Sequence, residues 1–189
     1  MFISDAHCDT LYAIAIEGKQ PGECVVTPER LAKGGVGVQT FALFAGRKGT
    51  KGTPYQDGLD MLAAIPKAGV PMLTGELPEE PPTAPAGVVS CEGGEMLEGS
   101  LERLDEFHRK VRLRMIALTW NFENEIGHPA KEGPEGGLKP FGFELLRAMD
   151  AREDFRRVSY AGMACQARYT GMGFEGYKRA MEFLCGKGE

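Results

Sequence analysis

The stretch FISDAHCDTLYAIAIE, residues 2–17, sets the reading of the chain. Phe2 and Ile3 with Ala6 predict a short buried strand that ends in polar residues. Leu11 to Glu17 then carries apolar residues at helical spacing. The same order recurs downstream. Pro28 to Lys33 starts like a helix, with Thr27 as N-cap, Pro28 in the first helical position and Gly34-Gly35 at its end. Val36 to Phe44 (VGVQTFALF) is dense in β-branched and aromatic residues and predicts a buried strand. Tyr55 to Ala68 predicts a helix interrupted near Pro66. Pro78 to Pro85 predicts a connection, because proline at that density excludes regular structure. Gly87 to Cys91 predicts a short strand, Leu97 to Arg109 an amphipathic helix, Arg114 to Trp120 a clear strand, and Phe141 to Ala151 a helix.

Alternating strands and helices favour an α/β fold with parallel strands over a sandwich or a bundle. A closed (β/α)8 barrel takes about 250 residues. At 189 residues the chain is too short for one. The expected architecture is an incomplete (β/α)8 barrel, roughly its first half. Residues 1–150 form that part and 151–189 a divergent tail.

Composition narrows the function. The net charge of -5, with no dense Lys/Arg cluster, gives no footprint for nucleic acid. No apolar run approaches the roughly 18 residues of a membrane span. The N-terminus lacks a basic region and reaches an acid at Asp5, unlike a secretory signal. Five cysteines without a C-x-x-C pair fit reduced thiols and a cytoplasmic location. No nucleophile elbow, P-loop or dinucleotide fingerprint is present.

Three strand ends carry the candidate chemistry. His7 and Asp9 stand two apart at the end of the first strand, so an extended backbone brings both to one side, and Cys8 to the other. An imidazole and a carboxylate together suit a zinc-type ion. The spacing alone equally fits two residues that only solvate a strand end. Glu92, before Gly93-Gly94, closes another strand. A carboxylate there can bridge two metal ions, or simply complement a helix N-terminus. Trp120 and Asn121 close a third strand, where they could line a pocket or pack beneath a loop. Glu123 and Glu125 read as solvated. His108 reads as surface and His128 as a loop residue.

In order and spacing, DAHCDTL (5–11), GGVGVQTFALF (34–44), SCEGGEMLEGSLERLDEF (90–107), RMIALTWNFENEIG (114–127) and GLKPFGFELLRAMD (137–150) resemble the membrane (renal-type) dipeptidases, peptidase family M19. The resemblance implies a (β/α)8-barrel hydrolase that cleaves dipeptides with two zinc ions. His7 and Asp9 match the family's first ligand pair, and Glu92 its bridging carboxylate. It also implies two histidines on later strands and a late aspartate. Here the chain departs from the pattern. The family continues into an apolar strand close to G-I-L-V-D-V-S-H, whereas this chain has EDFRRVSY at 153–160, with Tyr160 where the histidine would stand. No histidine follows His128.

A truncated or frame-shifted product is therefore expected, with weak metal binding and little turnover. Two other readings stand beside it. One is a non-catalytic remnant or half-barrel interaction module, whose exposed strand edges would favour association with itself. The other is a different amidohydrolase-type enzyme, although those usually carry H-x-H on the first strand.

Overall fold

The computed structural model describes residues 3–46, 49–50, 52–75, 80, 82–129 and 137–151. The segment 152–189 lies outside them, as do Pro78, Glu79 and Pro81 of the proline-rich connection.

Among the described residues, four parallel strands form one sheet in the order β1 (Ile3–Asp5), β2 (Val36–Phe44), β3 (Ala86–Glu92), β4 (Met115–Ile116). Spatial order equals chain order. The crossovers are made by helices α1 (Thr10–Ala15), α2 (Pro28–Gly34), α3 (Pro54–Ala64) and α4 (Leu101–Val111), and α5 (Pro140–Asp150) follows β4. Sequential parallel strands with helical crossovers curl into half of a (β/α)8 barrel.

The longest ladder joins β2 to β3 over seven partner pairs, from Val38↔Ala86 to Phe44↔Glu92. It carries the core. Phe41, Leu43, Val89 and Cys91 are almost fully buried, packed with Leu11, Met61, Leu104, Phe107 and Leu145 from the helices. Each such side chain contributes about 1.5–3 kcal/mol when removed from water.

Three helices begin with one device. Thr27, Thr53 and Ser100 each accept a hydrogen bond from the backbone N–H three residues on, at Arg30, Gln56 and Arg103. Such a cap contributes about 1 kcal/mol. Thr27, Pro28 and the glycine stop behave as the sequence predicts, with Gly35 ending α2 at φ 70°. The Tyr55–Ala68 helix changes at the expected place, since α3 ends at Ala64 and a 3₁₀ turn carries Ile65–Ala68 past Pro66.

Three elements differ from expectation. β1 is exposed along its whole length, not buried, because it stands at the edge of the sheet with β2 on one side only. The helix predicted from Leu97 starts at Leu101. Glu95–Leu97 forms a separate 3₁₀ turn, and Glu98 and Gly99 take left-handed backbone before the Ser100 cap. The strand predicted over Arg114–Trp120 pairs over only two residues, Met115 with Ser90 and Ile116 with Cys91. β4 is the other edge of the sheet. Beyond Ile116 the chain is held by Ala117 N–H on the Cys91 carbonyl and by packing of Leu118.

Candidate metal centre

β1 ends at Asp5, and the next four residues turn across the top of the sheet into α1. Cys8 is buried while His7 and Asp9 stay exposed, as strand alternation predicts. The Cys8 carbonyl accepts from Ala42 N–H at 2.9 Å, so the segment stays tied to β2 beyond the end of the strand. Glu92 is the last residue of β3 and comes up two strands away.

The three side chains meet. His7 Nε2 lies 3.2 Å from Asp9 Oδ1 and 3.3 Å from Glu92 Oε2. One ligand atom from each residue falls within 4.8 Å of the others, and among the described residues this is the one His/Cys/Asp/Glu group so arranged. All three stand at the C-terminal ends of parallel strands, the face where such barrels carry their chemistry.

The electrostatics fit a cation. The His7 imidazole is raised to about 9, first by its hydrogen bond to Glu92; burial opposes the shift, and the charges of Glu92 and Asp9 add to it. At neutral pH without metal, a proton on Nε2 sits between two carboxylates. One nitrogen and two carboxylate oxygens are also a donor set that zinc accepts. A divalent ion binding here would displace that proton.

Two residues outside the predicted set hold the trio in place. Asp5 Oδ1 accepts from His7 N–H at 3.0 Å and from Gln39 Nε2 at 3.1 Å. Gln39 is 1% exposed on β2, and its amide also donates to the Thr40 carbonyl at 3.0 Å. A glutamine in VGVQTFALF is the signal that could have found it, because a polar group in a buried strand needs a partner.

The turn after Glu92 depends on its glycines. Gly93 has φ 81°, and a Cβ there would run into the Glu95 carboxylate. A Cβ on Gly94 would strike Ile126. Cys91 Sγ donates to the Gly93 carbonyl at 2.8 Å beneath the turn, and burial holds the thiol well above its ordinary pKa.

Trp120 and Asn121 are half-buried and belong to no metal-ligand group. Trp120 packs edge-on against Phe44, with ring centroids 4.7 Å apart, and against Phe122 at 6.4 Å. His108 Nδ1 lies 3.1 Å from the Leu113 carbonyl at the end of α4. His128 lies 3.5 Å from Glu123 and stays away from the trio. Glu123 is not simply solvated: Lys139 Nζ reaches it at 2.6 Å.

No family model matches the chain. A stretch of 36 residues is 47% identical to a 3-dehydroquinate dehydratase of Deinococcus radiodurans, covering 19% of this chain and 25% of that enzyme. The whole described fold is similar to solved metallopeptidases. Dipeptidase AC, a metallopeptidase of family M19, superposes with a TM-score of 0.59 at 17% identity, over 83% of this chain and 61% of its own. A Rhodobacter sphaeroides metallopeptidase, solved with a phosphinate mimic of the dipeptide L-Ala-D-Ala, gives 0.59 and 17% over 84% and 62%. An amidohydrolase from Pseudomonas aeruginosa gives 0.53 and 16% over 66% and 38%. This chain thus spans about three fifths of the two metallopeptidases. It carries the opening half of the barrel fold that these hydrolases share.

Proposed function

We propose that this chain is the N-terminal part of a metal-dependent dipeptidase of the M19 type. In this reading His7, Asp9 and Glu92 are part of a two-zinc site. The observation that carries it is the convergence of these side chains, 85 positions apart at the extremes, on one point above the sheet. The fold likeness to M19 metallopeptidases supports the same assignment.

A bound divalent ion supplies acidified water and a polarised carbonyl for hydrolysis. The chain's own contribution is to hold ligands. His7 offers Nε2, Asp9 and Glu92 each offer an oxygen, and Asp5 with Gln39 fixes the turn that carries His7. The matching segments contain no further histidine ligand, so the site is incomplete. The chain is expected to bind zinc weakly and to turn over dipeptides poorly. An Ala-Ala hydrolysis assay with added zinc tests this: little release of alanine is expected. Rapid turnover with two tightly held ions per chain would contradict it.

Likeness to an amidohydrolase supports a second reading, in which the same donors serve another amide. Hydrolysis of a cyclic amide in preference to Ala-Ala would favour it. The non-catalytic half-barrel remains the reading to adopt if neither substrate reacts and zinc does not bind. The exposed β1 edge supports self-association, which sedimentation would measure. Free Cys8, Cys24 and Cys91 suit a reducing, cytoplasmic setting.

The segment 151–189 is proposed to be of separate origin from the barrel, through a shifted reading frame, because it breaks the M19 pattern at Glu153. The short dehydratase likeness, a quarter of that enzyme, supports no dehydratase activity here. DNA sequence across codon 153 tests the proposal. A strand resembling V-D-V-S-H in another frame is expected, and uninterrupted coding without one would refute it.

A further inference from the structure

Glu92 is followed at once by two glycines, the residues with the most backbone freedom. Its carboxylate nevertheless meets His7 Nε2 at 3.3 Å. The restraint on the turn comes from the facing loop, after β4. Gly94 N–H donates to the Leu118 carbonyl at 3.3 Å, and Ile126 covers Gly94 so closely that a Cβ there would lie 1.9 Å from its Cδ1. On the other side of Glu92, the Cys91 carbonyl accepts from Ala117 N–H at 2.8 Å. Glu92 is thus bracketed by bonds to one loop.

One side chain organises the contacts at Gly94. Asn124 is 6% exposed. Its Nδ2 donates at 2.9 Å to the Leu118 carbonyl, the same oxygen that accepts from Gly94. Its Oδ1 accepts from Ile126 N–H at 2.9 Å and from Gly127 N–H at 3.1 Å. Its backbone closes the loop, with N–H on the Gly127 carbonyl at 3.2 Å and its own carbonyl accepting from Lys139 Nζ at 2.6 Å. Asn124 therefore fixes both the acceptor for Gly94 and the isoleucine packed over it. An amide suits this place because one end donates and the other accepts; an ionised carboxylate of the same shape only accepts.

We propose that Asn124 is a positioning residue for Glu92, acting through the Leu118 carbonyl and Ile126 on the Gly93-Gly94 turn. Its consequence for metal rests on the two-zinc reading above, whereas its hold on Glu92 does not.

Asn124→Asp in the full chain tests the proposal with two readouts. The first needs no metal: the NMR signals of the His7 ring, which faces Glu92, recorded at one pH with chelator present. Asn124→Asp should move them in the direction that Glu92→Gln does. Ser100→Ala, which loosens α4 alone, should leave them in place, since a loss of stability by itself does not alter the His7–Glu92 contact. The second readout is the visible absorption of added cobalt(II), which reports ligand geometry. Asn124→Asp should change that spectrum and weaken cobalt binding about tenfold or more, as loss of a group that orients a ligand does. Lys139→Ala keeps the test open should Asn124→Asp fail to fold, and it should move the same His7 signals by less. Unmoved His7 signals in either folded variant would overturn the proposal, as would an equal shift in Ser100→Ala. A wild-type chain that takes up no cobalt would instead contradict the metal reading, and the His7 signals would still decide the role of Asn124.

Discussion

Glu92 and Glu95 lie three residues apart and live in opposite surroundings. Glu92 stands at the end of β3, partly open to solvent, with an imidazole 3.3 Å away. Glu95 is buried in the following 3₁₀ turn, with one oxygen unpartnered. The first carboxylate faces the His7 imidazole and is placed to take a metal ion with it. The second has no cation, and burial raises its pKa to about 7, aided by the charges of Glu125 and Glu92 and opposed by hydrogen bonds from its own backbone and from Asn124. The Gly93-Gly94 turn makes the difference, because it ends the strand and sends the chain back into the core within two residues.

The largest expected effect is on the Glu92 side. His7→Ala removes the nitrogen that faces both carboxylates, and zinc binding at the trio should fall by at least about a hundredfold, since losing a ligand exceeds the 10–100-fold typical of a supporting residue. Competition with a chromogenic chelator measures this. Unchanged affinity would remove His7 as a ligand.

The next effect is on the Glu95 side. The unfolded chain releases this proton near pH 4.5, and the folded chain holds it to about 7. The folded state thus binds more protons across that window, so the Glu95 contribution to stability is present below 4.5 and lost as pH rises through 7. The full difference is about 3 kcal/mol at 1.36 kcal/mol per unit. Urea unfolding of metal-free protein at pH 4.5, 6 and 8 should show Glu95→Gln flattening this decline. A variant that keeps the wild-type pH dependence would place the titration elsewhere.

How much of this was legible in the sequence follows from the same comparison. Spacing alone left His7 and Asp9 open between a metal pair and a solvated strand end, and Glu92 open between a bridging carboxylate and a helix terminus; the resemblance joined the three, and the fold brings their side chains together. β2, α2 and the break near Pro66 were readable from β-branched runs, a capping threonine and a proline. The Glu95 environment was not, because its burial comes from a turn packing against Ile126 and Asn124, some thirty residues away. Asn124 illustrates the point. Its amide bonds the Leu118 carbonyl and the backbone N–H groups of Ile126 and Gly127, holding the facing loop. Nothing in WNFENEIG distinguishes that asparagine from Asn121. The length of β4 was overestimated for a related reason: apolar residues after Ile116 are buried by packing, not by strand pairing.

Smaller effects sharpen the contrast further. Gln39→Ala leaves Asp5 with one donor fewer beneath the His7 turn, and zinc affinity should drop about tenfold with little change in fold. The same substitution should leave the Glu95 pH dependence intact, and a shift in both would mean that the two regions are coupled. Ser100→Ala removes the cap of α4 and should cost about 1 kcal/mol in urea unfolding without affecting zinc. An affinity change there would tie the site to the helix.

The central claim is that His7, Asp9 and Glu92 form one cation site. Zinc titration of wild-type chain beside Glu92→Gln, with Glu95→Gln as control, tests it most directly. Zinc should bind to the wild type and to Glu95→Gln with similar affinity, and binding should be lost in Glu92→Gln. Equal binding by wild type and Glu92→Gln would contradict the account.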